Sequence, residues 1–582
     1  MSNIQVPVLI VGGGIVGLSA SLFLSSYGIK SLLVERHAGT SIHPRARGVN
    51  RRTMELYRGI GIDEAIRAAG ASLAPSFGMY QGSSLAEVVE SHPRKVVAGP
   101  QKLPGAAFFD FGPVDGTRGT QDLIEPILLK AARDEGGDVR FNTECLTFDQ
   151  GYNGVTATLL DRSSNAKSAV HASYMIAADG AASPIRQQLG VSTTGAGTLG
   201  YLLNILFEVD LSDWVRGREF SLCLVDRPEV KGLFASINNS DRWVFHLSYD
   251  PRKGEEIQHF PPERCRELIK IALGMPDVHI EIKSILPWEP TVRVAEKFQH
   301  GRVFLSGDAA HQMPPWGGQG ANTGIADVHN LAWKLAAVLN GQATDTLLTT
   351  YDTERLPIGR LVSEESGAAS DEHGLLSLKK SVAAILALVY KIPRLVGYGY
   401  RYDSRAICTS DTTPWFWRAM RLMPTPSRIL QISGTAGTRA PHLWVHFETS
   451  RISTLDLLGK NFVIFAGEDG KEWCEAAPNV TSSLNVNLRA YCVGPSRELV
   501  APRGYWESSA GITTTGAILV RPDGMVAWHS WSNPPNIQRK LQEVLKQVLC
   551  FGRPSRIESF ESPLYNYIIS LLYLVHKCYV NS

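Results

Sequence analysis

Cysteine is scarce in this 582-residue chain: eight residues, at 145, 223, 265, 408, 474, 492, 550 and 578, with no C-x-x-C spacing among them. That excludes a disulfide scaffold and a thioredoxin-type redox motif, and it fits free, mostly buried thiols in a reducing, cytoplasmic setting. Only His576 stands close to a cysteine, too little for a metal site, so no metal is expected. Charge of either sign is not concentrated. With 58 Lys and Arg against 56 Asp and Glu the net charge is +2, scattered along the chain, which excludes an electrostatic footprint for nucleic acid. Long apolar runs are missing too. Residues 381–390 (SVAAILALVY) and 564–575 (LYNYIISLLYLV) fall short of the roughly 20 residues that span a bilayer. Core or interface helices are expected there, with docking of the C-terminal tail on a membrane or partner as the alternative. Residues 1–7 carry no basic n-region, so no leader is expected.

What the chain does have is glycine, 53 residues, several in tight clusters, and a length that calls for two or three domains. Residues 5–11 (QVPVLIV) read as a buried parallel strand. The strand runs into Gly12-Gly13-Gly14-Ile15-Val16-Gly17, then a helical pattern over 18–27, a stop at Gly28, a second strand over 29–34, and Glu35 at its end. Gly12 permits the tight turn, Gly14 lets a pyrophosphate approach the backbone, and Gly17 lets helix pack on strand. The helix N-terminus offers unpaired N–H groups to phosphate, and Glu35 can accept from ribose hydroxyls, with Arg36 beside it. The full constellation predicts a dinucleotide site, without deciding between FAD and NAD.

Further motifs point at the same ligand. Arg45-Ala46-Arg47 opens an arginine-dense loop suited to phosphate and anion contacts. Gln121 begins another helix. A strand over 169–176 ends in Asp179-Gly180, at the carboxyl end where α/β sheets hold ligands; a plain turn residue is the competing reading of Asp179. Strand 302–305 leads into Ser306-Gly307-Asp308-Ala309-Ala310-His311 and then Pro314-Pro315-Trp316-Gly317-Gly318-Gln319-Gly320-Ala321-Asn322, before a long apolar helix over 328–339. Asp308 can bind a sugar or ribityl hydroxyl. The prolines stiffen the loop, and Gly318 and Gly320 let its backbone lie against a flat ligand. The helix start at Ala321 and Asn322 offers N–H donors to charge building there, as on a reduced flavin. His311 reads as structural rather than as a base.

With these residues assembled, the chain resembles the class A flavoprotein monooxygenases, the p-hydroxybenzoate and phenol hydroxylase superfamily, and within it the polyketide and phenol hydroxylases of secondary metabolism. The matching segments run from residue 5 to about 360. The resemblance implies an α/β fold with a Rossmann-like FAD-binding domain of the GR2 type (residues 1–71, 116–199 and 291–375). An interleaved, sheet-containing substrate domain (72–115 and 200–290), a helical connector (376–430) and a thioredoxin-like C-terminal domain (431–582) complete it. It implies FAD reduced by NADPH or NADH, O2 as co-substrate, and hydroxyl transfer from a flavin C4a-hydroperoxide to a small aromatic substrate. Gly307–Asp308 would hold the ribityl region, Asp179–Gly180 both cofactors, and Arg45 and Arg47 would line the flavin's mobile position. The C-terminal domain is expected to be structural or to form a homodimer.

The chemistry of the residues agrees. The flavin supplies the hard step, so the protein positions, excludes water and sets electrostatics; the apolar loop 313–316 suits a dry site. One departure is that the acidic base some phenol hydroxylases of the family carry in the loop occupied here by Arg47 is absent from this chain. Arg47 itself and Tyr201, His246 and Tyr249 in the strand-rich middle segment are the candidate catalytic residues. Epoxidation, Baeyer–Villiger insertion and oxidative dearomatisation use the same flavin chemistry and stay open, with a non-catalytic flavin-binding scaffold as the reading from another class.

Overall fold

The computed structural model describes residues 3–71, 73, 78–92, 111–315, 318–371, 373–375, 397–409, 414 and 430–551. Trp316, Gly317, the run 381–390 and the tail 564–575 lie outside them.

The first sheet grows from the apolar runs that open the sequence. Strand Asn3–Val11 pairs in parallel with Ser31–Val34 on one side and with Lys167–Ala177 on the other. Val303–Leu305 and Asp138–Arg140 extend the parallel set outward, and the hairpin Thr143–Gly151/Gly154–Asp161 adds antiparallel strands beside Lys167–Ala177. Val8, Leu9, Ile10, Leu32 and Leu33 are fully buried, as strands covered on both faces must be. Helices Ile15–Ser26 and Gln319–Leu339 pack together on this sheet. Gly17 makes the close approach feasible, since a Cβ there would lie 1.9 Å from the Gly12 carbonyl oxygen.

The second sheet has six strands in the order Glu281–Trp288, Tyr201–Glu208, Arg242–Tyr249, Val230–Ser236, Leu222–Arg227 and Met79–Gly82. Met79–Gly82 comes from a separate stretch of chain and pairs in parallel with Leu222–Arg227, so two distant segments build one sheet. One face carries Leu203, Ile205, Phe207, Phe245 and Leu247 against helix Pro262–Leu273. The other, with Leu206, Ala235 and Val244, faces the first sheet's domain.

The C-terminal sheet centres on Phe462–Ala466, parallel to Leu488–Gly494 and antiparallel to Ala517–Val520, which turns through Pro522-Asp523-Gly524 into Val526–Ser530. Helices Lys471–Leu484 and Ile537–Val548 complete a thioredoxin-like βαβ–ββα arrangement. It packs on the long helix through Trp333, whose ring meets Phe462 edge-on at 5.9 Å. Most of the expected helical connector (376–430) lies outside the described residues. Within the connector, residues 397–409 contain no helix; Gly397 and Gly399 at positive φ turn the chain, while Tyr398 and Tyr402 are buried. Among the described residues, no helix is long and apolar enough to cross a membrane, and no group of three or more His, Cys, Asp or Glu could hold a metal.

Candidate active site

Between the first two sheets lies one continuous cavity of about 1660 Å³. Ligand pockets for a single small molecule run roughly 300–1,000 Å³, so this volume suits a dinucleotide together with a second, sizeable ligand. Gly12, Gly14, Glu35, Arg36, Arg45, Arg47, Gln121, Asp179, Gly180, Asp308, Pro315, Gly318, Gly320, Ala321 and Asn322 all line it. Gly17 and Gly307 sit just behind the wall, where helix and strand ends meet. A Cβ on Gly307 would come 2.9 Å from Val16, and its φ of +59° favours glycine.

Two helices begin at this cavity without a side-chain cap. Ile15–Ser26 starts after Gly14 and the 21-residue Gln319–Leu339 after Gly318, so both present backbone N–H groups and the positive end of the helix dipole. At the first, Glu35 accepts from the Gly13 N–H (2.6 Å) and the His37 N–H (2.9 Å), which fixes its carboxylate at the strand end. At the second, Asn322 is the fastener. Its amide donates to the Gly48 and Gly318 carbonyls (3.1 and 2.7 Å) and its oxygen accepts from the Asn50 N–H (3.0 Å). The arginine loop and the glycine loop are thereby held on either side of the same space. Ala46, in the arginine loop, sits at φ +50°, a strained position for a non-glycine residue.

The acids divide by role. Asp179 accepts from the Ser183 hydroxyl (2.6 Å) and the Ile185 N–H (3.1 Å), capping the short helix Pro184–Gln188 while facing the cavity. Burial pushes its carboxyl up, and the same holds for Glu125, which accepts from the Gln121 amide (2.6 Å) and the Ser41 N–H (2.7 Å). Asp308 presents its carboxyl to the cavity, raised by its surroundings against the pull of His311 and Arg45. His311 is no base: fully buried, it bonds Asp327 (2.7 Å), which Arg355 also holds (2.8 Å). Its partner Asp327 is a carboxylate on the helix Gln319–Leu339, so the role of His311 is structural.

At the sheet end the cavity is apolar, walled by Leu222, Ala235, Ile237 and Val244, with His246, Asn204 and Trp288 as polar or aromatic features. The His246 Nδ1 bonds Asn204 Oδ1, so its N–H donates there and Nε2 is left as an acceptor. Burial, then Arg47 and His43, depress His246 to about 3, so it is neutral at working pH. A base that weak accepts a hydrogen bond from a phenol but does not remove its proton. Tyr201 and Tyr249 do not reach the cavity. Strand alternation puts them on the opposite face of the sheet, 6.0 Å apart by ring centroid and packed toward Phe260. Arg47 spans the domains: its Nη1 donates to the Ser221 and Ser236 carbonyls (3.1 and 2.9 Å). Burial and the neighbouring Arg118 lower it to about 10.

Three cavity residues were not singled out from sequence. His43 is 6% exposed, has no hydrogen-bond partner on either ring nitrogen, and is lowered to about 4 by burial and Arg45. Arg118 reaches the wall through the two-residue pairing of Thr117–Arg118 with Gly48–Val49. Asn204 alternates with Leu203 and Ile205, so a lone polar residue in an apolar strand was the only signal. Open glycine backbone, two uncapped helix starts and an orphaned buried imidazole together fit a long, flat, phosphate-bearing group such as FAD.

Comparison with known proteins agrees with this geometry. Residues 5–366 match the family model for an FAD binding domain, and residues 433–554 that for the aromatic-ring hydroxylase C-terminal region. A tetracenomycin A2 monooxygenase-dioxygenase of Streptomyces glaucescens is 39% identical, covering 94% of this chain and 98% of that one. An aklavinone 12-hydroxylase of Streptomyces purpurascens is 38% identical, covering 94% and 100%. The solved structure of an aklavinone-11 hydroxylase with FAD and aklavinone superimposes with TM-score 0.80 at 36% identity, covering 94% of this chain and all of that one. A match that takes in the cofactor half and the C-terminal half alike, with relatives aligned nearly end to end, makes this chain a member of the FAD-dependent aromatic-ring monooxygenases.

Proposed function

We propose that this enzyme hydroxylates a multi-ring phenolic substrate of the polyketide type, using FAD, NADPH or NADH as reductant, and O2. The observation that carries this reading is the continuity of the cavity, from the Gly12–Gly17 turn at one end to the apolar sheet face at the other. In this reading Glu35 and Arg36 take the adenosine end, and Gln121, Arg45, Asp179 and Gly180 the middle. Asp308 takes the ribityl chain, and Pro315 to Asn322 the flavin's pyrimidine edge. FAD bound there supplies the activation of dioxygen. The protein's share is to hold the aromatic ring against Leu222, Ala235, Ile237 and Val244 and to exclude water from it.

Ionisation of the phenol falls to electrostatics rather than to a carboxylate base. Arg47 and Arg118, each lowered to about 10 by burial, face the space where the substrate would lie and favour its phenolate. The neutral His43 and His246 offer acceptors for the remaining hydroxyls. The compounds for which two relatives are named, tetracenomycin A2 and aklavinone, support a multi-ring aromatic ligand.

The test is incubation of the purified flavoprotein with NADPH, ¹⁸O₂ and a panel of aromatic polyketides and phenols, followed by product mass. Substrate-stimulated NADPH oxidation with one labelled oxygen in the product supports the proposal. Absence of a flavin spectrum after FAD addition, or label-free product, overturns it. A second reading, delivery of more than one oxygen, is favoured by the relative named for both monooxygenase and dioxygenase activity; two labelled oxygens in one product would select it.

A further inference from the structure

In the thioredoxin-like domain two cysteines far apart in spacing come together. Cys474 lies in the first turn of helix Lys471–Leu484 and Cys492 in the central strand Leu488–Gly494, with their Sγ atoms 3.4 Å apart. A disulfide needs about 2.05 Å, so closure asks for roughly 1.4 Å of movement, within reach of side-chain rotation. Cys492 is buried, while Cys474 is half-buried at the domain surface. The hydrogen bond from Cys474 holds the Cys492 thiol below its usual range, helped by Arg497 and opposed by burial. Elsewhere burial works the other way, pushing Cys223 up to about 12, Cys145 to about 12 with help from Asp179 and Glu144, and Cys265 to about 11 against Arg264. Thiolate character is what reacts with peroxide and with disulfide, so reactivity concentrates at Cys492 among those thiols, while the same contact and burial push the Cys474 thiol up and keep it protonated as the donor.

We propose that Cys474 and Cys492 form a redox-active dithiol, a modification site that closes to an intradomain disulfide on exposure to hydrogen peroxide. The Cys492 thiolate attacks the peroxide oxygen, breaking the O–O bond, and the departing hydroxide leaves as water with the proton released on ionisation. The Cys474 sulfur then displaces hydroxide from the resulting sulfenic acid, losing its own proton to form the second water. Two thiols are oxidised to one disulfide and one peroxide is reduced to two waters. Closure pins helix Lys471–Leu484 to the strand beneath it. The missing C-x-x-C motif does not bear on this pair, which is built by the βα packing rather than by adjacent sequence.

The experiment uses the full-length flavoprotein, reduced, desalted and kept without NAD(P)H, then titrated with hydrogen peroxide. Remaining thiols are alkylated and the peptides mapped by mass. The expected result is loss of two alkylatable thiols of the chain's eight, recovered as a Cys474–Cys492 cross-link that dithiothreitol reverses. Two separate alkylated peptides, a cross-link to any other cysteine, or sulfinic acid on either residue as the main product would overturn the proposal. Cys474→Ala should direct oxidation of Cys492 to sulfinic acid; a reversible cross-link persisting in that variant would likewise overturn it. Because the wild-type map stands alone, a variant that fails to fold does not blunt the test.

Discussion

At the scale of single residues, the cavity is governed by groups kept from their ordinary charge or partners. Asp308 is the simplest case. Removing a carboxylate that hydrogen-bonds the cofactor should cost about 1.5–3 kcal/mol, or roughly ten- to hundredfold in affinity. Asp308→Ala is therefore expected to lose FAD on gel filtration, and unchanged occupancy would refute the role given to it. The histidines make a prediction about pH. His43 is lowered to about 4, and His246 and His329 to about 3, from an ordinary 6.5, in each case chiefly by burial. Below pH 6.5 the unfolded chain takes up protons that the folded chain refuses, so each group costs stability as pH falls toward its folded value. His329 shows this most cleanly: it lies against Phe23 (4.8 Å) and a small chamber, and does not itself line the main cavity, although Asn50, Gln319 and Asn322 border both. Urea unfolding at pH 7 and pH 5 should give a loss that His329→Gln reduces by on the order of 1 kcal/mol. Carboxylates held below their usual range, such as Glu55 and Asp327, lose their contribution only further down, below about pH 4.5.

At the scale of elements, the sequence was most legible where backbone chemistry dictates residue type. The strand read over 5–11 is Asn3–Val11, the helix read over 18–27 is Ile15–Ser26, and the strand read over 29–34 is Ser31–Val34. Glycine turns and β-branched runs leave few alternatives. Sheet faces were not legible. In Tyr201–Glu208 both faces are apolar, because one meets a helix and the other meets the cavity, so alternation alone could not say which residues see the ligand. That is why Tyr201 and Tyr249 were grouped with His246 although they point away. Tyr249→Phe should leave kcat/KM within about twofold, whereas His246→Leu, which removes an acceptor at the cavity, should lower it about tenfold. The helix Gln319–Leu339 offers a sharper element-level test. Gly320 has room for a side chain, its nearest neighbour being Met313 Cγ at 3.9 Å from a built Cβ. Gly320→Glu therefore folds but sets a negative charge at the open N-terminus, where the dipole favours anions by about 0.3–1 kcal/mol. Because Gly320 faces the space proposed for the flavin, Gly320→Glu and Gly320→Gln should both retain less FAD on gel filtration, the glutamate variant by a further factor of about two to five.

At the scale of the whole molecule, the C-terminal domain is joined to the cofactor domain by buried charge as well as by Trp333. Glu354 on helix Thr349–Gly367 accepts from Lys334 (2.8 Å) on the neighbouring long helix and from Arg521 (2.6 Å) in the C-terminal hairpin. Asp523, in the hairpin turn, pairs with Arg521, and the Asp523 carbonyl accepts from Arg52 (2.8 Å). Arg52 in turn pairs with Glu55 (3.1 Å), which Arg439 and Tyr398 also hold, so one polar seam runs from the arginine loop's helix into the third domain. Lys334, Glu354 and Arg521 are completely buried. Desolvating such groups is costly, so the seam says little about net stability while it is intact, but it makes each member indispensable to the rest. Glu354→Gln keeps the shape and removes the charge facing Lys334 and Arg521. It should destabilise by about 3–5 kcal/mol, seen as a lower Tm. Because the seam ends at the helix that starts from Asn50, beside the cavity, FAD retention should weaken in the same variant while the isolated absorbance of bound flavin stays unchanged. A Glu354→Gln protein with wild-type Tm would mean that the apolar cluster around Trp333, with Ala337, Leu347 and Phe462, holds the two domains and that the buried ion pairs are passive.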